Sequence, residues 1–579
     1  MKYPDIFNPD LSRVGTAESQ MYNLVAGELV THVVRTSLGP RGMMKVYIDI
    51  LGEETITKHG GAFLRKLDVD HPAAKTVIDG VNSVDNHVGD GTVSTAIVTG
   101  ALLKEAKQLR IRGVPTAAII RGFEFGMKAA LDGLARIRFH TDRTDRNMME
   151  SLVRSCIRGK ALGGGFDKVE DSVVQMIVNA MYCVTDLGGR RTDVDAVKIE
   201  EKIGNPSETR LVRGTIIDKP TDGPMMRRAV HDARILLINE PLERSRTKTE
   251  SEVTITAPEM MGEFLRRETD NVTDAVKPIL DSGADVVISR KGIDERAHEL
   301  LCHSGIVSIR RVKYNDLWWL EKSTGASTCN DIHNISEDEL GHADCIYERK
   351  IDGDRMFFVE SHNNPRSVTL LLRASSKRYL DEFHRTALNA LYVLRNFVES
   401  PHLVFGGGSC EAALAKIVRE KGVSVKGREQ VAALRFADAL EEIPLTLAEN
   451  LGMDRLDVLP GLRSLHYHAG LTDSKQGGTG SRQGGRTATW YGIDPDTRDV
   501  RDMSVGAVLE TAIVKEQMIK TATETACMIL NVNDLFIKDL IDNTHCHIDG
   551  TVHAHKDPGR NHNHWEQEGL EQRQMHHYY

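Results

Sequence analysis

Three glycine-centred segments, far apart in the chain, carry residue types suited to gripping a phosphate. They are Thr36-Ser-Leu-Gly-Pro-Arg-Gly42, Val88-Gly-Asp-Gly-Thr-Val-Ser94 and Phe405-Gly-Gly-Gly-Ser409. A phosphate needs close backbone approach, free N–H donors and a carboxylate that can hold a metal ion. Gly-Pro-Arg-Gly ahead of an apolar strand and Gly-Asp-Gly-Thr opening a helix offer these. No Gly-x-x-x-x-Gly-Lys-Ser/Thr occurs in the chain, so the site is not of the Walker kind. Taken singly, Gly-Asp-Gly also reads as a common turn and the triple glycine as a flexible linker. Jointly the three segments read as parts of one nucleotide pocket.

The elements that must position them follow from periodicity. From residue 17 to about 140 the helical period dominates, with Ala73-Ala-Lys-Thr-Val-Ile-Asp-Gly-Val81 and Thr92-Val-Ser-Thr-Ala-Ile-Val-Thr-Gly-Ala-Leu-Leu103 as apolar-faced helices. One hairpin interrupts them: Lys45-Val-Tyr-Ile-Asp-Ile50, a Leu-Gly-Glu-Glu turn, then Thr55-Ile-Thr57. In the middle, strands at Thr215–Asp218, Ala233–Ile238, Ala284–Ser289 and Gly305–Ile309 alternate with helices at Glu295–Leu301 and Tyr314–Lys322, an α/β domain inserted between helical halves. Helical periodicity returns at Lys377 and runs to about Ile541. Leu380, Phe383, Ala387, Leu391, Leu394 and Val398 make one apolar stripe. Asn389 lies about half a turn from Leu380 at 100° per residue and faces away from that stripe. Gln476–Gly485, rich in glycine, reads as a mobile surface loop. After Asn543 the tail carries eight histidines, among them His545, His547, His553 and His555, and reads either as a solvated disordered tail or as a metal binder.

Composition bounds the function classes. With 579 residues, 40% hydrophobic and 27% charged, the chain has the make-up of a soluble protein with several cores. About 150 residues per domain gives roughly three or four domains. A net charge of −9 argues against bulk nucleic-acid or anionic-membrane binding. The apolar runs have strand length, far short of a membrane span. Met1-Lys-Tyr-Pro-Asp-Ile-Phe-Asn8 has no apolar run after its lysine, so no secretory signal is expected. Eight scattered cysteines without a Cys-x-x-Cys pair fit reduced thiols in a cytoplasmic setting.

Over nearly its whole length the chain resembles group II chaperonin subunits, the archaeal thermosome and eukaryotic CCT family. The resemblance rests on Val34–Met43, Leu67-Asp-Val-Asp-His-Pro-Ala-Ala-Lys75, Val88–Thr92, Val286-Val-Ile-Ser-Arg-Lys-Gly-Ile-Asp294, Arg428-Glu-Gln430, Phe436–Pro444 and Leu447-Ala-Glu-Asn450, in the family's order. It implies a multidomain chaperonin fold. A mostly helical equatorial domain would come from residues 1–143 and 399–543, and a small α+β intermediate domain from 144–212 and 364–398. An α/β apical domain with a lid protrusion would span 213–363, leaving 544–579 as the His-rich disordered tail. It also implies a double-ring cage of this chain or paralogous subunits that takes unfolded or partly folded proteins as clients. Met260, Met261, Phe264 and Leu265 would be lid or client contacts; ordinary helix packing is the alternative.

The same resemblance implies ATP and Mg²⁺ as ligands. Leu38, Gly39 and Pro40, with Gly89, Asp90, Gly91, Thr92, Val93 and Ser94, would wrap the phosphates, and Asp90 would hold Mg²⁺. Gly407 would lie against the nucleoside, Glu510 on the ribose, and Lys160 at the terminal phosphate. Two departures bear on catalysis. Where the family reads Thr-Asn-Asp-Gly, this chain has Thr57-Lys-His-Gly60, so His59 replaces a water-orienting aspartate. Where the family reads His-Asp-Ala-Leu, this chain has Leu388-Asn-Ala-Leu391, so Asn389 replaces the second. Val93 also removes a hydroxyl from the phosphate loop. Phosphoryl transfer asks the protein mainly for positioning and electrostatics, and an amide orients water without taking a proton. The expectation is a chaperone that binds ATP and hydrolyses it weakly. The alternatives are a working His59–Asn389 substitute pair, or a hydrolysis-deficient structural or regulatory subunit of a mixed ring. No dinucleotide fingerprint, Ser/His/Asp elbow or His-Glu-x-x-His supports a metabolic enzyme.

Overall fold

A computed structural model describes residues 11–14, 16–160, 167–186, 191–221, 226–243, 272–361, 365–473, 490–506, 508–538, 544–546 and 552–554. The segment 244–271, which holds Met260, Met261, Phe264 and Leu265, and the glycine-rich stretch 476–485 lie outside these residues. Contacts divide the chain into Met1–Tyr22 with Val532–Tyr579, and Asn23–Asn531.

In chain order, strand β1 (Leu11–Val14) and helix α1 (Thr16–Arg35) lead to the hairpin β2 (Lys45–Ile48) and β3 (Glu54–Thr57). Helices α2 (Gly60–Lys66), α3 (Pro72–Val88), α4 (Thr92–Ile111) and α5 (Thr116–Ile137) follow. The hairpin turn starts two residues earlier than expected, because the Asp49 carboxylate accepts the N–H groups of Leu51 at 2.9 Å and Glu53 at 2.7 Å. α3 has Pro72 in its first turn and ends on Gly89 in the left-handed region. Next come β4 (Phe139–His140), α6 (Arg146–Arg158), α7 (Asp167–Val184), β5 (Thr185–Asp186), β6 (Arg191–Thr192), β7 (Val197–Ile203) and β8 (Arg210–Val212).

The middle region holds β9 (Gly214–Ile217), β10 (Ala229–Ile238), a helix α8 over 272–281, β11 (Val286–Ser289), α9 (Glu295–His303), β12 (Val307–Ile309), α10 (Tyr314–Thr324), β13 (Thr328–Cys329), β14 (Gly341–Ile351) and β15 (Asp354–Glu360). These strands form one mixed sheet in the order β12-β11-β10-β14-β15-β9, with β13 also on β10. Successive residues of β10 point to opposite faces. Ile235 and Leu237 join one core with Ile288 and Phe357, while Leu236 and Ile238 join another with Ile279 and Leu301. The expected α/β middle is therefore present, with β9, β11 and β12 buried along their whole length.

The chain continues through β16 (Val368–Ala374), α11 (Lys377–Glu399), β17 (His402–Phe405), α12 (Ser409–Gly422), α13 (Arg428–Asn450) and α14 (Arg455–Asp473). It then runs through β18 (Tyr491–Asp494), β19 (Asp499–Asp502), α15 (Met503–Gly506), β20 (Leu509–Thr511), α16 (Ala512–Asn531), β21 (Leu535–Lys538), β22 (Thr544–Cys546) and β23 (Val552–Ala554). Two corrections arise here. The helical run stops at Asn531 rather than near Ile541, and the β18–β19 hairpin interrupts it. The Asp494 carboxylate closes that turn by accepting from Asp496 N–H at 2.9 Å. Within the tail expected to be disordered, β22 pairs antiparallel with β23, His545 opposite His553, where Thr544 and Val552 supply β-branched residues.

One helical core draws on both chain ends: Leu24, Val77, Leu102 and Phe123 pack with Phe436, Leu440 and Ile519. A second core joins α6, α7, β16 and α11 through Met149, Val178, Leu370, Phe383 and Leu394. The Leu380–Val398 stripe is buried as expected, and so is much of the opposite face, including Glu382, Thr386 and Asn389. α11 thus lies between a hydrophobic core and a polar one, and the polar one is the candidate site.

Candidate functional site

The Gly89-Asp90-Gly91 turn connects α3 to α4. Gly91 has φ of 80°, a region costly for any residue with a Cβ, and a Cβ there would come within 2.7 Å of the Val514 side chain. No side chain caps α4, so its first turn keeps N–H donors available at a positive helix end. Lys160, just beyond α6, lies 3.4 Å from the Asp90 carboxylate. Desolvation pushes the Asp90 carboxyl up, but the Lys160 charge and the Gly91 N–H outweigh it and hold it below the ordinary range. Desolvation likewise opposes the Lys160 charge, and Asp90 more than restores it. Thr92 is buried, Ser94 half-buried, and the Val93 methyl sits where a Cβ on Gly60 would meet it at 2.7 Å. Val93 therefore packs α4 against the start of α2.

His59 caps α2: its Nδ1 accepts the Ala62 N–H at 3.2 Å. The ring proton consequently belongs on Nε2, which faces the Asp85 carboxylate at 3.3 Å. Asp85 also takes an Arg65 guanidinium N–H at 2.6 Å. Burial pushes the Asp85 carboxyl up, and the His59 hydrogen bond with the surrounding cations reverses this to leave it lowered. Asn389 reaches the same point from α11. In the amide orientation that satisfies every neighbour, its Nδ2 donates to the carbonyls of Gly89 at 3.1 Å and Arg385 at 3.3 Å. Its oxygen accepts from His59 Nε2 at 3.1 Å and Lys160 Nζ at 2.8 Å. The two substituted residues are thus direct partners. Neither keeps a free lone pair in this arrangement.

Lys58, beside His59, is buried, and its ammonium donates to the Pro40 carbonyl at 3.1 Å, joining the Leu38-Gly39-Pro40 turn to the site. Burial, then the nearby Lys160 charge, push its pKa down to about 8 against the pull of Glu382. Glu382 clamps the end of β3, accepting from Thr57 Oγ1 at 2.8 Å, Lys58 N–H at 3.0 Å and Arg385 Nε at 2.9 Å. Leu38 is fixed from the other chain half, its carbonyl accepting from Asn450 Nδ2 at 2.9 Å.

The second half of the chain supplies the opposite wall. Gly407 has φ of 65°, and a Cβ there would meet the Ile493 carbonyl at 2.8 Å. α12 begins two residues later without a side-chain cap. The Phe405 ring stacks on Trp490 with centroids 4.5 Å apart. Glu510, on β20, lies against Gly406 and is ion-paired with Lys515, which also sits 2.6 Å from Glu411. Desolvation pushes the Glu510 carboxyl up, with Lys515 opposing and Glu411 and Asp90 reinforcing. The walls meet where Leu509 N–H donates to Ser155 Oγ at 3.2 Å and where Val514 covers Gly91.

The fold therefore gathers Leu38, Gly39, Pro40, His59, Gly89 to Ser94, Lys160, Asn389, Gly407 and Glu510 around one region. Sequence reasoning missed Asp85, Lys58, Glu382 and Lys515. The Thr-Lys-His-Gly departure was the signal for Lys58; the others act across the fold and leave no local mark. Asp90 keeps a third of its side chain exposed, enough for one metal contact. Among the described residues no cluster of three or more His, Cys, Asp or Glu could hold a metal alone. A single carboxylate beside an uncapped helix start fits Mg²⁺ that draws its remaining ligands from phosphate and water.

Among the described residues, no helix is long and apolar enough to cross a membrane, and the seven cysteines with described side chains are free. Curated relatives match most of the chain. A thermosome subunit of Methanocaldococcus jannaschii is 37% identical over 525 residues, 90% of this chain and 93% of its own length. Thermosome subunit alpha of Archaeoglobus fulgidus is 35% identical over 519 residues, 90% and 92% respectively. Thermosome subunit beta of Methanothermobacter thermautotrophicus is 35% identical over 525 residues, 90% and 93%. A sequence profile of the TCP-1/cpn60 chaperonin family matches residues 30–539, and the chain belongs to that family.

Proposed function

We propose that this chain is a subunit of an ATP-dependent group II chaperonin that binds unfolded proteins and assists their folding. The carrying observation is the Asp90–Lys160 pair at the uncapped start of α4, faced by glycine turns from both chain halves. The triphosphate would lie along Gly39, Pro40 and Gly89 to Ser94, with the nucleoside toward Gly407 and the ribose near Glu510. When bound, Mg²⁺ would supply charge neutralisation of the phosphates; Asp90 would hold it and Lys160 would bind the terminal phosphate. The equatorial, intermediate and apical boundaries follow the ranges given from the sequence.

His59 and Asn389 would stand where the family has its water-orienting aspartates, with Asp85 fixing the histidine, and either would have to give up a present partner to hold a water. Nδ1 of His59 is committed to a backbone N–H, so no imidazole lone pair is free as a base. Turnover would be slower than with carboxylates at these two positions. The relatives lend no support to a structural or regulatory subunit without turnover, and an active subunit is the reading adopted. Assembly with itself or with paralogous subunits is supported by the β2–β3 hairpin, which exposes Val46, Ile48, Ile50 and Leu51 together. Such a patch on an isolated two-stranded ribbon asks for a covering partner. The setting would be the cytoplasm.

The test combines native mass measurement with refolding of a chemically denatured client, with and without Mg-ATP. Ring-sized particles and ATP-dependent recovery are expected. A persistent monomer, or client recovery indifferent to nucleotide, would refute the proposal.

A further inference from the structure

The histidine-rich tail after Asn543 has no part in the reading above, yet two of its histidines stand opposite each other in a strand ladder. β22 pairs antiparallel with β23 in a register that sets His545 opposite His553, with Thr544 opposite Ala554 and Cys546 opposite Val552. Directly opposed residues of an antiparallel pair share one face, with Cβ atoms about 4.5–5.5 Å apart. Two nitrogens held about 2.0–2.1 Å from one tetrahedral ion lie roughly 3.3 Å from each other, a separation within reach of imidazoles so placed. The sequence repeats the residue type at the strand period: His547 follows His545 by two positions, and His555 follows His553 by two. His547 and His555 lie outside the described residues, and their assignment to the same face rests on that period alone. Between the two strands in sequence stands Asp549-Gly550, a dipeptide suited to the tight turn of a hairpin. A lone two-stranded hairpin is marginal in water, and a face of histidines adds little apolar burial to hold it. A metal ion shared by the two strands supplies the missing cross-link.

We infer that the β22–β23 hairpin is a binding site for a divalent transition metal ion, with His545 and His553 as its cross-strand pair and His547 or His555 as the third imidazole. Either choice gives the same pattern, two ligands from one strand and one from its neighbour. Neutral imidazole suits Zn²⁺, Ni²⁺ and Cu²⁺, whereas Mg²⁺ prefers carboxylate and phosphate oxygen. The site is therefore chemically separate from Asp90 and does not rest on the nucleotide reading. Because the ion ties the strands together, its binding free energy is also folding free energy of the hairpin. Order in this segment would thus depend on metal.

The experiment is calorimetric titration of the intact protein with Zn²⁺, in excess Mg²⁺ to cover oxygen-donor sites. Wild type is compared with three variants: His545→Ala with His553→Ala, His562→Ala with His564→Ala, and Val552→His with His553→Val. The last keeps the number of histidines and moves one imidazole to the other face of the ladder. His562 and His564 have the same spacing in sequence but lie outside the described residues, and they serve as the comparison. Wild type and the His562/His564 variant are expected to bind a single Zn²⁺ per chain with equal affinity. The His545/His553 variant and the face-swapped variant should each bind it about 100-fold more weakly, since a ligand itself is lost and not merely a supporting partner. Wild-type affinity in the face-swapped variant would mean that an unpaired histidine run holds the ion, and would overturn the inference. Equal losses in the His562/His564 variant, or no Zn²⁺ binding by wild type, would overturn it as well. X-ray absorption of the Zn²⁺-loaded wild type gives a second readout: an imidazole nitrogen shell at about 2.0–2.1 Å is expected, and a shell without imidazole would refute the site.

Discussion

Removing the Lys58 charge should stabilise the nucleotide-free protein, and the gain should fade as pH rises. The side chain is buried, and its pKa falls from 10.5 to about 8, with burial as the first cause and Lys160 as the second. A lowered lysine pKa means that the folded state binds fewer protons than the unfolded state between those two values. Stability therefore rises with pH across that window. Below pH 8 the full penalty applies. At about 1.4 kcal/mol per unit, burying this cation costs on the order of 3 kcal/mol at pH 7. At pH 9.5 only the last unit below 10.5 remains, and the penalty shrinks to about 1 kcal/mol. Lys58→Met keeps the stem volume and removes the charge. The hydrogen bond it loses ends on the exposed Pro40, whose carbonyl water can reach. Urea denaturation of wild type and Lys58→Met, without nucleotide at pH 7 and pH 9.5, measures the effect. The variant should be more stable at pH 7, with its advantage cut by more than half at pH 9.5. A less stable variant at pH 7, or an advantage independent of pH, would refute the reasoning. Residues kept in spite of such a cost are expected at sites that bind a ligand.

Three further outcomes are expected. Glu382→Ala strips buried partners from Thr57, Lys58 and Arg385 at once, so a loss on the order of 3 kcal/mol is expected from unsatisfied groups, measured by the same denaturation, with Glu382→Gln losing less. Asn389→Asp places a carboxylate beside His59 and Lys160, and phosphate release under saturating Mg-ATP should rise by about tenfold or more; an unchanged or lower rate would show that the amide does not limit turnover. Lys198, on β7, is buried and bonded at 2.6 Å both to Asp316 on α10 and to the Ile216 carbonyl. Asp316→Ala leaves that cation with Glu200 at 3.2 Å as its one carboxylate partner, and a loss of about 1 to 3 kcal/mol is expected from the lost charged hydrogen bond; Lys198→Met in the same background should recover part of it.

Much of this organisation was legible from local pattern. The apolar runs at Val286–Ser289 and Val307–Ile309 are strands because β-branched residues pack on both faces of a central sheet. The stripe from Leu380 to Val398 marked α11, and its half-turn offset placed Asn389 on the other face, where the site lies. The glycine turns were readable because left-handed backbone and close approach leave few other residues possible. The partners were not readable. Glu382 meets Lys58 across 324 positions and Leu38 meets Asn450 across 412, distances at which sequence carries no periodic signal. The β18–β19 hairpin was hidden because its strands are four residues each and their turn rests on one carboxylate, Asp494. His59 shows the same gap: its type suggested a possible base, and only its bond to Ala62 N–H removes that role.

The claim beneath all of this is that one pocket, built from both chain halves, takes Mg-bound triphosphate. A structure of the intact assembly with Mg²⁺ and a non-hydrolysable ATP analogue tests it directly. Phosphates lying between Gly39 and Gly91, a metal on Asp90 and the nucleoside against Gly407 are the expected result. Nucleotide bound elsewhere on the subunit, or that pocket empty at saturating ligand, would contradict it.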